Sequence, residues 1–533
     1  MHRTRREAAG LLPLTRAVAE ARYVVGDCSV LLYDTKVGER WGHNYDQLGG
    51  TPNGIGQVWQ RAAQNCEAMI AAGHDPLRVV CEHTHSRGMQ FIAHLLLSLV
   101  HQPPSRVTTG RQADFTTGHP ELVLGPDPQG RAWGDANQLS YAHPEVRAER
   151  LAIVNELLSD YPTDGVELNF SVGVPLLSRA QTETHAEQVT AWMRTIRAAA
   201  AAAAVQQGRA KRVVVRVPAS LGGNAALGHD LRTWIVEGLV DTVVAVAVEC
   251  PDFSASVTSL RELCSLCAQH SVAVVAALES TAAEQTVQVH RAAIVNAYSA
   301  GACGVLFHRW YPDSVSSGVL HPYSAQDFSR IRYAAWPDIL QHHDKTFRLG
   351  PVSVAGMGLC GNWPWSAKAE GVEEAVEGWL ALPLPLSQGT ATASLPLEVS
   401  DDLAAAQRDG LLWRCELIVS IAHLAYTDLL ELEWNGAVLA ADSAEVRKAD
   451  WSYQMRPSGV PEQTAGFWGY RLHVDLARSG MLPRLGRNSA RVTLLSRDPQ
   501  LAPVEVRLVD VQVVCEYLPH RSGVRDAEDF YRP

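Results

Sequence analysis

From residue 22 onward the chain repeats one pattern: a short apolar run, a loop, then a segment of helix length. This alternation predicts a parallel sheet covered by helices, because parallel neighbours need a long crossover between them. The apolar runs are Arg22–Asp27, Ser29–Thr35, Phe91–Leu97, Gly165–Phe170, Arg212–Val217, Thr242–Val248, Val272–Leu278 and Gly304–Trp310. Helices are expected at Gly56–Ala72, Asp75–Arg87, Pro144–Asp160, Ala180–Gln207 and Ala282–Ala300. Eight such strands over roughly 320 residues fit an α/β fold of the (β/α)8 TIM-barrel type. An open doubly wound sheet is the alternative, but no glycine-rich phosphate fingerprint follows the first run.

After about residue 345 the texture changes. A stretch rich in glycine, proline and tryptophan reads as linker and loops, and from Leu395 short alternating strands appear. Asn435-Gly436 is a strong hairpin turn signal. The expected domains are a leader at 1–21, a barrel at 22–345, linker and loops at 346–394, and a β-sandwich at 395–533. With 533 residues, 47% of them hydrophobic, the chain has material for more than one large core.

A net charge of −11 disfavours nucleic acid and anionic membrane surfaces as partners. No apolar run reaches the ~18 residues of a membrane-spanning helix. Met1–Arg22 carries five arginines against two glutamates and no apolar core of secretory type, so a cytoplasmic location is the default expectation. The ten cysteines are scattered and read as mostly free and buried, and Cys264-x-x-Cys267 stands alone without a second pair at zinc spacing. No cofactor or metal is expected: His83 and His85, two apart on a helix, do not share a face, and His94 reads as a core histidine.

Strand alternation singles out Asp164-Gly165-Val166-Glu167-Leu168-Asn169-Phe170. Val166, Leu168 and Phe170 share one face, and Glu167 and Asn169 share the other. In a parallel barrel that polar face points inward, near the C-terminal mouth where chemistry sits. The other polar residues near strand ends are Asp27, Tyr33, Asp34, His94, Arg216, Glu249, Glu279, His308 and Trp310. Glu167 and Glu279 form the candidate catalytic pair for glycosidic cleavage, with Glu249 as substitute for the second. The plainer alternative is that either glutamate pairs with Arg216 as an interior ion pair. Asn169 is expected to bind a sugar hydroxyl or to orient Glu167. Trp310, Trp133, Tyr33 and Tyr141 are either sugar platforms or core. No Gly-x-Ser-x-Gly elbow or phosphate loop is present.

Five stretches occur in a fixed order: AGHDPL at 72–77, HSRGM at 85–89, HPELVLG at 119–125, YAHPEVR at 141–147 and the run from Tyr161 to Phe170. Together they make the chain resemble bacterial family-10-like glycoside hydrolase proteins, which are barrels with a C-terminal β-sandwich. The resemblance covers residues 22–345 well and the tail loosely. It implies a carbohydrate substrate and places Glu167 as the acid of the fourth strand. Two departures stand out. The family's usual Glu-Leu-Asp-Phe reads Glu167-Leu168-Asn169-Phe170 here, and the polar segment after its third strand is replaced by apolar Leu95 to Val100. A catalytically inactive carbohydrate-binding barrel is therefore the first alternative. A lyase or aldolase barrel is the second, for which no lysine stands among the strand-end residues. The sequence leaves the oligomeric state open.

Overall fold

The computed structural model describes residues 18–27, 29–45, 55–102, 110–131, 133–171, 175–247, 253–278, 286–307, 331, 333–350, 375, 382–440, 444–455, 463–501 and 503–518. Its first half is built on strands β1 (Glu20–Val24), β2 (Gly26–Asp27), β3 (Val30–Leu31), β4 (Gln90–Leu96), β5 (Gly165–Asn169), β6 (Arg212–Pro218), β7 (Thr242–Val246), β8 (Ala273–Leu278) and β9 (Gly304–Phe307). The intervening helices include α1 (Ile55–Ala71), α2 (Pro76–Ser86), α3 (Pro144–Ser159), α4 (Thr182–Gln207), α5 (Leu221–Ala226), α6 (Leu231–Val236), α7 (Thr258–Gln269) and α8 (Val287–Ser299). Among the described residues a seven-stranded sheet runs in the order β1-β4-β5-β6-β7-β8-β9, every neighbouring pair parallel. This is the barrel-type α/β arrangement expected from the alternation.

One expected strand falls outside that sheet. Ser29–Thr35 supplies only Val30–Leu31, which turns back antiparallel on Gly26–Asp27 as a two-residue ribbon. β1 therefore pairs directly with β4, and the strand that carries Glu167 is third in the described sheet, not fourth. The inward parity of Glu167 is unaffected.

Local chemistry accounts for the element ends. Asp75 caps α2 by accepting a hydrogen bond from the Leu77 amide, with Pro76 in the first turn. The alanine run of α4 favours helix, and Gly208 ends it at φ 62°. Gly165 is required by close approach: a Cβ there would lie 2.2 Å from the Arg212 carbonyl oxygen. β5 and β6 thus lie side by side just below Glu167.

The inner face of the sheet holds its own apolar cluster, Ile92, Val214, Val244 and Ala277, with Val246 and Leu306 packed against it. The outer face joins the helices in a large core that continues without a break into the C-terminal part. There one sheet runs β10 (Lys345–Leu349), β19 (Arg507–Tyr517), β13 (Leu412–Ala422), β17 (Gln463–Asp475) and β16 (Ala444–Met455), with β11 (Leu384–Pro385) beside β19. The second runs β12 (Leu395–Val399), β18 (Gly486–Ser496), β14 (Leu429–Trp434) and β15 (Ala437–Val438). All their pairings are antiparallel. Asn435 and Gly436 make the two-residue turn between β14 and β15, both at positive φ. Lys345–Leu349, expected at the barrel end and in the linker, is a strand of this antiparallel part. The last strand, β19, runs unbroken from Arg507 to Tyr517.

The two halves are stitched together by polar bonds. The Asn296 amide on α8 donates to the carbonyls of Phe253 and Glu398 at 3.0 and 3.1 Å, and its oxygen accepts from Ser400 at 2.6 Å. Lys345 Nζ, fully buried, reaches Asp401 at 2.8 Å.

Candidate functional site

The parallel register sets the site. His94 lies opposite Glu167, and Asn169 lies opposite Arg216. All four project from the inner face, above the apolar cluster of Ile92 and Val214. Arg22 joins them from β1, two strands away. The Glu167 carboxylate has no exposed surface. Its Oε2 accepts from Arg22 Nη1, and its Oε1 accepts from His94 Nδ1 at 2.7 Å and lies 2.9 Å from Arg216 Nε. Asn169 Nδ2 donates to His94 Nε2 at 3.2 Å, while its own oxygen accepts from the Ser171 amide and hydroxyl, each at 2.9 Å. Both imidazole nitrogens are thereby satisfied by the neutral tautomer with its proton on Nδ1.

The charges continue downward. Arg22 Nε donates to Glu20 at 2.6 Å, and Glu20 accepts from Arg212, which also reaches Gln90 at 2.9 Å. A column of alternating sign therefore runs from the N-terminal end of the sheet toward the mouth: Arg212, Glu20, Arg22, Glu167, Arg216. Burial alone would raise the Glu167 carboxyl, but Arg22, then Arg216 and His94, hold it well below the usual carboxylate range. Burial lowers His94 despite the neighbouring carboxylate and keeps it neutral.

Of the residues singled out from sequence, Glu167, Asn169, His94 and Arg216 come together. The interior ion pair between Glu167 and Arg216 forms. Tyr33 and Asp34 do not join the cluster. The buried Tyr33 hydroxyl donates to Glu156 at 2.7 Å and its ring meets Tyr161 edge-on, whereas half-buried Asp34 pairs with Lys36 and Arg40. Trp133 and Tyr141 are core residues whose polar atoms donate to the carbonyls of Leu177 and Leu97. Asp27 ends β2. Glu249, Glu279, His308 and Trp310 lie outside the described residues. In the sandwich, Trp434 is buried and donates to the Met481 carbonyl, and Trp468 is half exposed beside His423.

Arg22 and Glu20 were missed as site residues. Their signal was the alternation Glu20, Arg22, Val24, which puts both charges on one face of the first strand. Lys211 was also passed over. Burial, with Arg209 nearby, lowers its ammonium to about 8, but it sits just before β6, at the end away from the mouth, and donates to the Thr163 carbonyl at 2.6 Å. Among the described residues one group of three has metal-ligand spacing, Glu39, His43 and Asp114, with ligand atoms within 4.8 Å of one another. It takes in none of His83, His85 and His94.

The chain thus combines a parallel barrel-type sheet, an inward polar cluster and a C-terminal pair of antiparallel sheets. Residues 52–190 match the model of the glycosyl hydrolase-like 10 family, and all five ordered motifs fall inside that segment. That segment is similar to the glycosyl hydrolase-like 10 family, which bears out the resemblance. Among solved structures, the chain is similar to the glycoside hydrolase domain of PgaB (BpsB) from Bordetella bronchiseptica, at 15% identity over 47% of this chain and 77% of that one, TM-score 0.32. It is also similar to the glycoside hydrolase domain of PelA from Pseudomonas aeruginosa, at 13% identity over 43% and 82%, TM-score 0.28. The endo-1,4-beta-mannanase of Rhizomucor miehei overlaps at 14% identity over 64% and 91%, TM-score 0.37. No curated protein sequence matches the chain.

Proposed function

We propose that this protein binds carbohydrate at the C-terminal mouth of its parallel sheet and cleaves a glycosidic bond there, without using Glu167 as the proton donor. The family match over residues 52–190 supports the substrate class and the reaction. The observation that carries the role of Glu167 is its enclosure by two guanidinium groups. A general acid needs a raised pKa, and here the carboxyl is held well down. A nucleophile needs a free, approachable oxygen, and here Oε1 and Oε2 are both engaged and fully buried. Glu167 is thus a fixed counter-charge that holds Arg216 and His94 beneath the mouth.

The reacting pair in this reading is Glu279 with Glu249. Glu279 follows directly on β8, whose Ala277 packs inside the barrel, and it continues that alternation in the sequence. Release of reducing ends from a panel of oligosaccharides tests the reading. The wild type turns over at least one of them, and Glu279→Gln and Glu249→Gln each lose activity with the fold intact. Full turnover in both variants would overturn it.

The substitution of Asn169 for the family's second carboxylate favours a second reading, binding without turnover. Both polar ends of Asn169 are tied up by His94 and Ser171, so it supplies no acid. Glycan binding by the wild type with no product on prolonged incubation would select it.

A further inference from the structure

A cleft of about 500 Å³ lies outside the barrel, where α5, α6 and α7 approach strand β18 of the sandwich. Three guanidinium groups line it from three elements: Arg232 on α6, Arg261 on α7 and Arg487 on β18. Glu262 is the acidic residue that lines the same cleft. Glu398, the register partner of Arg487, accepts at its Oε1 from Arg261 Nη2 at 2.7 Å. The side chains of Arg232 and Arg487 have no ion pair or hydrogen bond with any described residue. In a chain of net charge −11, this is a local excess of positive charge with two uncommitted forks.

The size and chemistry of the cleft restrict what it can take. A volume of this order matches that of small-molecule sites, about 300–1,000 Å³. Guanidinium forks suit planar or multi-oxygen anions, which they bind in pairs of hydrogen bonds. Leu221 begins α5 directly after the C-terminal end of β6, and Thr258 begins α7 after β7. One end of the cleft therefore stands at the level of the barrel mouth. We propose that it binds an acidic carbohydrate, an oligosaccharide bearing uronate or sulfate groups. This rests on the reading of the barrel as carbohydrate-active, and it gives the sandwich a ligand contact through Arg487.

The test is calorimetric titration of the full chain with trigalacturonate, a sulfated disaccharide, neutral cellotriose and inorganic sulfate, in wild type and in the Arg232→Ala/Arg487→Ala variant. Both substituted residues are exposed, and Arg261, which is committed to Glu398, is left alone. At least one acidic oligosaccharide binds the wild type, weakens tenfold or more in the variant, and weakens as salt rises. Which of the two binds separates carboxylate from sulfate recognition. Equal affinity of wild type and variant overturns the proposal, as does free sulfate binding as tightly as the sulfated sugar. The two readings fail separately. Neutral oligosaccharide turnover with no acidic ligand bound removes the cleft alone, and arginine-dependent acidic binding with no sugar bound or cleaved at the mouth removes the barrel reading alone.

Discussion

Glu167 and Arg22 meet inside the barrel although 145 residues and one intervening strand separate them. Their contact joins a column of alternating charge, so Glu167→Gln takes the shared carboxylate from between two buried guanidinium groups and leaves Arg22 with Glu20 alone. A buried charge left unpaired costs about 3–5 kcal/mol. Glu167→Gln is therefore expected to lower unfolding free energy by about that amount, measured by urea denaturation. A variant as stable as the wild type would show that the column carries no load.

Acid should weaken the fold in two stages. Neutral His94 has its folded pKa below the unfolded value of about 6.5, so its contribution is fully present above that pH and is lost as pH falls below it. Glu167 also has its folded pKa depressed, so its contribution is present above an unfolded value of about 4.3 and is lost as pH falls toward the folded one. Both slopes have the same sign. Thermal midpoints taken from pH 8 to pH 4 should fall first below about 6.5 and again in the carboxylate range. A flat profile between pH 7 and pH 5 would contradict the neutral state of His94.

Asn169→Asp replaces an amide donor facing His94 Nε2 with a carboxylate. The imidazolium form then gains a partner on each side, so the His94 pKa should rise by roughly one unit or more. Nitrogen chemical shifts of the imidazole, followed through a pH titration, report this directly. An unmoved titration would mean that Asn169 does not select the neutral tautomer.

Gly165→Ala should be among the most damaging small changes in the chain. Its Cβ would stand 2.2 Å from the Arg212 carbonyl oxygen, which is backbone and cannot swing aside. The expected loss is about 3 kcal/mol or more, the range of strained or overpacked sites. Soluble protein with a wild-type melting profile would refute the argument.

The parallel sheet was legible because its strands are dense in valine and leucine and alternate with helices. Ser29–Thr35 looked equally apolar, but Val30 and Leu31 pair with Gly26–Asp27 and the Tyr33 hydroxyl is claimed by Glu156, so nothing extends it. Ala444–Met455 is not legible as a strand in the sequence, because Glu445, Arg447 and Lys448 make it read as polar. It is the edge strand β16, where exposed charges are at home. At the site, alternation placed Glu167 and Asn169 correctly on one face. It could not show that Glu167 is enclosed, because Arg22 reads as one more arginine in an arginine-rich stretch of sequence. Its partner is chosen by the strand order β1-β4-β5, not by sequence neighbourhood.

The Asn296 side chain holds carbonyls from both halves of the chain at once, and the apolar core runs on beneath it. The sandwich is consequently no detachable accessory. Cutting the gene near residue 390 would leave α8 with a bare flank and take Glu398 and Ser400 from the Asn296 amide, so neither fragment is expected to express as a folded protein. The two halves are expected to unfold together, in a single calorimetric transition.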